Sequence, residues 1–157
     1  MRKKLLLFLL VVVSVLALCG CRKKNIPEDF NISFQYGETD SSFVTIDTYN
    51  SLITLGANQA EQLEFKISPE DKADIYTELH RNNLFGYEGE YRGTTSEPGA
   101  NVRFMIKFTS NGRTHLISGD NTTKFCKTKD TSSLLEFRDY MIEYIESLDE
   151  YKRLLPV

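Results

Sequence analysis

Apolar residues recur in four short segments in the first half of the chain, after about residue 30, and they alternate with polar ones over residues 31–36 and 63–67. This period of two is typical of half-buried β-strands, because successive side chains point to opposite faces of a strand. The pattern predicts strands over residues 31–36, 43–46, 49–55 and 63–67.

A helix is predicted directly after these strands, over residues 69–82. Ser68 can cap its first turn, Pro69 suits the first helical position, and Glu70 and Asp71 place negative charge at the positive end of the helix dipole. Its apolar face consists of Ile75, Tyr76 and Leu79. His80 lies near the C-terminal end, where a structural or surface role is expected rather than a ligand role.

The clearest hairpin signal lies further along the chain. Apolar residues alternate from 102 to 108, Asn111-Gly112 is a strong two-residue turn, and residues 114–118 form the returning strand. Counting outward from the turn pairs Phe108 with His115 and Ile106 with Ile117. We therefore expect His115 at the edge of the core.

A second helix is predicted over residues 132–153, where apolar residues recur at spacings of three and four. Ser133-x-x-Glu136 fits a capping box at its start. Such a stripe needs a sheet to cover it. The order of elements therefore predicts an α+β fold, a two-layer domain over residues 31–157 in which two helices cover an antiparallel sheet.

Composition agrees with one ordinary globular domain. The chain has 157 residues, of which 41% are apolar and 26% charged. These values exclude repeats, collagen and bulk disorder.

The N-terminus has the pattern of an export signal. Arg2, Lys3 and Lys4 precede an apolar run over residues 5–18. At about 1.5 Å per residue this run spans roughly 21 Å as a helix, less than the roughly 30 Å of a bilayer core. A permanent transmembrane helix is therefore not expected.

The end of this leader, Leu18-x-Gly20-Cys21, resembles the lipobox of bacterial lipoproteins. The resemblance implies cleavage after Gly20 and diacylglyceryl modification of the Cys21 thiol. Residues 1–20 would then be the signal peptide and residues 21–30 a lipidated N-terminus and tether. The protein would be anchored at the extracytoplasmic side of a bacterial membrane. A secretory signal without lipid and an uncleaved anchor are the alternatives.

Removal of the signal changes the charge and the cysteine chemistry. Subtracting Arg2, Lys3 and Lys4 from the 19 basic side chains leaves 16 against 22 acidic ones, a net charge of −6. Nucleic acid is therefore a poor partner.

Cys126 would be the only thiol that is neither removed nor lipidated, so no intramolecular disulfide is expected. Phe125 beside it favours a buried, structural thiol over a reactive one.

Standard catalytic, phosphate-binding and metal-binding motifs are missing from the sequence, and no cofactor is expected. The segment 86–93 has the composition of a recognition loop, with glycines around the candidate ligand or partner surface Tyr87, Glu88, Glu90, Tyr91 and Arg92. An ordinary surface loop is the alternative. Glu88 and Glu90 could form an acid and base pair if they shared one strand face.

A wider resemblance covers roughly residues 31–87. Phe34-Gln-Tyr-Gly37, Ile46-Asp-Thr-Tyr49 and Leu63-Glu-Phe-Lys-Ile-Ser-Pro-Glu-Asp71, followed by Ile75-Tyr76 and Asn83-Leu-Phe85, look like segments of a group of small exported bacterial proteins, many of them lipid-anchored. The resemblance implies a fold neighbourhood and a compartment, and it transfers no catalytic or binding residue.

The sequence thus predicts a lipid-anchored binding or interaction module whose partner is an envelope protein or a cell-wall component. A small envelope hydrolase or an enzyme inhibitor is the alternative. Convergence of His80, His115 or Cys126 with carboxylates in one pocket would favour an enzyme.

Overall fold

The computed structural model describes residues 25–38, 43–56, 61–91, 102–120 and 131–155. Seven strands form one open sheet in the order β4-β3-β2-β1-β6-β7-β5. The elements in chain order are β1 Asn31–Gly37, β2 Val44–Asp47, β3 Leu52–Leu55, β4 Glu61–Glu64, α1 Pro69–Arg81, a 3-10 helix Leu84–Gly86, β5 Gly89–Tyr91, β6 Arg103–Ser110, β7 Arg113–Asp120, α2 Ser132–Ser147 and α3 Asp149–Leu154. The predicted α+β class is confirmed.

The core lies between one face of the sheet and the helices. Alternate residues of the central strands are fully buried there, against the apolar faces of α1 and α2. The main contributors are Ile32, Phe34, Ile46, Ile53, Ile106, Phe108, Ile117, Ile75, Leu79, Leu134, Phe137, Met141 and Ile145. The period-two and helical patterns therefore identified the correct faces, because burial of these side chains is the main driving force for folding.

The start of α1 and the β6–β7 hairpin follow the sequence prediction closely. The Ser68 hydroxyl accepts a hydrogen bond from the main-chain N–H of Asp71 at 3.0 Å, as a helix cap should. Asn111 and Gly112 both have positive φ, 52° and 73°, as a type I′ turn requires. This turn sets the register, and His115 is paired with Phe108 as predicted.

Two strand boundaries differ from the prediction. β3 begins at Leu52 because residues 48–51 form a turn in which Ser51 has a φ of 57°. β4 covers Glu61–Glu64 and ends before Phe65. Phe65 is nevertheless buried, and its N–H donates to the Ser51 carbonyl at 2.8 Å. In the predicted segment 63–67, only Leu63 and Glu64 therefore pair as a strand, and Phe65 is buried without belonging to the sheet.

The edge strand β5 was not predicted, since its residues lie in the segment interpreted as a loop. It pairs with β7 in parallel, with Gly89 opposite Ile117, whereas every other neighbouring pair is antiparallel. The 3-10 helix returns the chain to the open edge of β7, and Gly89 adopts a φ of 88° there. Three residues are too few to show a strand period.

The prediction of one long C-terminal helix was wrong. The chain leaves helical geometry at Leu148, whose ψ is 138°, and α3 then starts with Asp149 and Glu150 in its first turn. The break lets α3 contact β3 and β4, where Leu154 is buried. The predicted capping box was also wrong, because Thr131 is the N-cap residue, its side chain makes no capping hydrogen bond, and Ser133 lies inside α2.

No helix within the described ranges is long and apolar enough to cross a bilayer.

Candidate functional site

The predicted recognition segment contains one residue that belongs to the core. Tyr87 is only 4% exposed, and its ring meets the Tyr91 ring edge-on at a centroid distance of 5.4 Å. The Tyr91 hydroxyl accepts a hydrogen bond from the Glu88 N–H at 3.3 Å. Tyr87 and Tyr91 therefore pack against each other. Arg92, the last member of the predicted surface, lies outside the described residues.

Glu88 and Glu90 point toward different surroundings. The Glu88 side chain is 80% exposed, and its Oε1 is 4.0 Å from Nδ1 of His115, a residue whose ring is on the covered face. Glu90 is paired with Ser118, which alternates to the opposite face of β7. The positive φ of Gly89 interrupts the strand alternation between them. The arrangement gives no support to an acid and base pair made of these two carboxylates.

Both histidines contact Phe85, although they lie 35 positions apart in the chain. The His80 ring lies 4.4 Å from the Phe85 ring, and the His115 ring lies 5.6 Å from it, edge-on. His115 also stacks on Phe108 at 4.7 Å with an interplanar angle of 10°. The hairpin register predicted the Phe108 contact, whereas sequence spacing carried no signal for the meeting of the two histidines.

His115 is buried to 9% exposure at the edge of the core, as predicted. Its Nδ1 is buried and has no hydrogen-bond partner. The Glu88 carboxylate is the acidic group with which it forms an ion pair when the imidazole is protonated. A carboxylate orients a general-base imidazole through a hydrogen bond, and the 4.0 Å between these two groups is longer than a hydrogen bond.

The part of the chain that the structure describes contains no cluster of metal-ligating side chains. There, no three side chains of His, Cys, Asp or Glu converge closely enough to hold an ion.

The second candidate surface is the sheet face opposite the core. One row of paired residues crosses all seven strands on this face, and it consists of Gln62, Thr54, Thr45, Gln35, Met105, Ser118 and Glu90. Next to Met105 along β6, Lys107 is paired with Leu116 of β7. Met105 is 38% exposed and Leu116 is 53% exposed. Two large apolar side chains therefore lie exposed within a polar face.

Tyr49 completes this surface. Its hydroxyl hydrogen-bonds with the Thr109 hydroxyl at 2.8 Å, and Nζ of Lys107 lies 4.9 Å from the centroid of its ring. Burial is the largest cause that raises the pKa of the Tyr49 hydroxyl, so this group stays protonated and able to donate. We call Tyr49, Met105, Lys107 and Leu116 the open-face patch.

The chain matches no family model, no curated protein and no solved structure. The lipobox resemblance and the role of Cys21 stay predictions, and both Cys21 and Cys126 lie outside the described residues.

The sequence contained a weak signal for the open-face patch. Met105 and Leu116 are apolar residues at the polar positions of two alternating strands, so each strand presents an apolar side chain on both faces. The position of Tyr49 had no such signal, because it reaches the face from a turn.

Proposed function

We propose that this chain is a lipid-anchored, extracytoplasmic binding module of the bacterial envelope and that the open-face patch is its contact surface. The exposure of Leu116 and Met105 on the sheet face is the observation that supports the open-face patch as the contact surface. The first part is supported by the leader that ends in Leu18-x-Gly20-Cys21.

The chemistry of the patch suits a protein partner. Burial of aliphatic side chains such as those of Met105 and Leu116 contributes favourable binding free energy that does not depend on direction. Tyr49 adds an aromatic ring and a hydroxyl that can form a hydrogen bond. The Thr109 hydrogen bond and the Lys107 contact hold that ring in place before binding. Preorganised aromatic and aliphatic groups within a polar surround are typical of the centre of a protein interface. An envelope protein is therefore favoured over a cell-wall glycan.

The test is crosslinking of the intact anchored protein in its own membrane, followed by identification of the captured protein. Leu116→Gln combined with Met105→Gln should abolish capture of the protein that the wild type captures. Leu155→Gln is the matched control, because Leu155 is another exposed large apolar residue, at 42% exposure, and lies at the end of α3. Equal capture by the patch variant and the control would show that the open-face patch is not the contact surface.

The surface predicted at Tyr87, Glu88, Glu90, Tyr91 and Arg92 stays a prediction with its own test. Since Tyr87 is buried, the carboxylates of Glu88 and Glu90 are the groups to change. Glu88→Gln with Glu90→Gln should leave capture intact if the open-face patch binds the partner. Loss of capture in this variant alone would move the contact surface to the segment 86–93.

A small hydrolase is the second candidate, and one observation favours it. His115 Nδ1 is 4.0 Å from Glu88 Oε1, so a histidine and a carboxylate lie close to each other without a hydrogen bond between them. A hydrolase would need this distance to shorten to hydrogen-bond length when a substrate binds. Hydrolysis of an ester or of cell-wall fragments by the wild-type domain, lost in His115→Gln, would support this candidate over the binding module.

A further inference from the structure

Asp29 links the start of the domain to the tip of the β6–β7 hairpin. Its carboxylate accepts a hydrogen bond from the Asn111 N–H at 3.0 Å and a second from the Gly112 N–H at 2.6 Å. The Gly112 hydrogen bond is the largest of the contributions that together lower the pKa of the Asp29 carboxyl. We call this pair of hydrogen bonds the Asp29 contact.

The residues around Asp29, which the sequence assigned to the tether, pack onto the domain. Phe30 is fully buried and meets the Tyr76 ring edge-on at 4.9 Å. Ile26 packs against the core, and the Phe30 N–H donates to the Pro27 carbonyl at 3.0 Å. Within the described residues, packing onto the core therefore starts at Ile26, three residues before Asp29, which contacts the hairpin turn.

This position leaves little chain between the domain and a lipid on Cys21. Ile26 lies five positions after Cys21, and a fully extended chain over five residue-to-residue steps reaches at most about 18 Å. The intervening Arg22, Lys23 and Lys24 are attracted to anionic headgroups, which draws the tether toward the surface. Ile26 is thus held close to the bilayer.

We infer that the hairpin-turn end of the sheet faces anionic phospholipid headgroups and that the Asp29 contact holds the domain in this orientation. The inference depends on the lipid anchor of the proposed function. The basic groups at this end suit such a surface, because Arg113 is exposed and Lys72 lies near Phe30. The Asp29 carboxylate keeps its negative charge, so the attraction comes from these basic groups and from the tether. The strands then run away from the membrane, and the open-face patch stands beside it, accessible to a partner.

Labels at the two ends of the β6–β7 hairpin can measure which end lies closer to the membrane. Arg113 is paired with Ser110 at the turn, and Arg103 lies seven residues before Ser110 along the strand. At about 3.3 Å per residue, Arg103 is roughly 23 Å farther from the turn. Both side chains are exposed, so a label at either position should leave the core intact.

The experiment uses the lipidated full chain with Cys126→Ser. A fluorophore is attached through Arg113→Cys or Arg103→Cys, and the protein is placed in vesicles of phosphatidylglycerol and phosphatidylethanolamine that carry a headgroup nitroxide. Quenching should be several-fold stronger at position 113 than at position 103. Equal quenching, or stronger quenching at 103, overturns the orientation.

The role of the Asp29 contact is tested in the same vesicles. Asp29→Asn should reduce the difference in quenching between the two labels. Only one of the two terminal atoms of an amide, the oxygen, can accept a hydrogen bond, so one of the two N–H groups loses its partner. Asp47→Asn is the matched control, since Asp47 also accepts from a turn N–H, that of Tyr49, but lies outside the N-terminal segment. An unchanged difference in Asp29→Asn, with its melting temperature retained, overturns the role of this contact.

Intact mass separates this inference from the proposed function. Lipid on Cys21 with equal quenching refutes only the orientation. A wild-type protein without lipid on Cys21 refutes the anchor and, with it, the orientation.

Discussion

The imidazole of His115 lies parallel to the Phe108 ring across the β6–β7 pair, with the ring centroids 4.7 Å apart. This is a cross-strand pair at directly opposed positions. The Phe85 ring meets both rings edge-on, with its centroid 5.6 Å from that of the imidazole and 5.1 Å from that of Phe108. His115 is therefore an aromatic packing residue at the same time as it presents Nδ1 to Glu88.

This packing gives a prediction for His115. His115→Phe should keep the stack and retain most of the stability, whereas His115→Ala should lower the free energy of unfolding by about 2 kcal/mol through lost ring contacts. Urea unfolding of both variants measures the difference. If His115→Phe were as destabilised as His115→Ala, the nitrogen atoms rather than the ring would be the stabilising part.

Tyr87 should behave as a core residue. Tyr87→Ala should cost roughly 3 kcal/mol or more, because it leaves a cavity beside the core. Ile106→Ala, which changes a fully buried residue of β6, is the comparison. Tyr91→Phe keeps the ring and removes only the hydroxyl that Glu88 contacts, so it should cost much less. A Tyr87→Ala protein with wild-type stability would restore this ring as a candidate for binding.

Alkaline pH should destabilise the domain through Tyr140. Burial, followed by the nearby carboxylates of Asp74, Glu78 and Asp71, raises the pKa of its hydroxyl to about 12, above the ordinary value of a tyrosine. The unfolded chain loses this proton first, so the folded state binds more protons between the two values and stability falls as pH rises. Unfolding measured from about pH 9 to 12 checks this. Tyr140→Phe should show a shallower decline over that range.

Cys21 should be the anchor of the mature protein. Cys21→Ala should lose lipid labelling and normal signal processing, because the lipobox cysteine is both the acylated residue and the first mature residue. Two acyl chains make a stable anchor, whereas one gives only marginal binding. Intact-mass analysis of the wild-type protein decides the point. A mature protein that starts elsewhere or carries no lipid would contradict the prediction.

Cys126 should be a structural thiol. A soluble chain that starts after residue 21 should keep its melting temperature in reductant, because this is then the only cysteine and no disulfide can form within the chain. Its reaction with a thiol reagent should be slow in the native state and fast after denaturation. Fast native labelling would indicate an exposed thiol and would favour the hydrolase.

The sequence alone determined the features whose causes are local. Asn111-Gly112 specifies a two-residue turn with two positive φ angles, and this turn fixes which residues of β6 and β7 face each other. Ser68 and Pro69 likewise fix the start of α1 within a few residues of chain. The two-layer α+β class followed, because the apolar periods show which faces must be covered.

Only the tertiary structure decided the features that depend on residues distant in sequence. The addition of β5 to the edge of β7, the break at Leu148 and the burial of Tyr87 are set by where other elements leave space and unpaired main-chain groups. The same holds for the meeting of His80 with His115 around Phe85 and for the contact of Asp29 with a turn more than 80 residues away. Local preferences specify turns and caps because those interactions span only a few residues. A contact between distant residues forms only when the packed core brings them together. The spacing of residues in the sequence does not show which distant residues will come into contact.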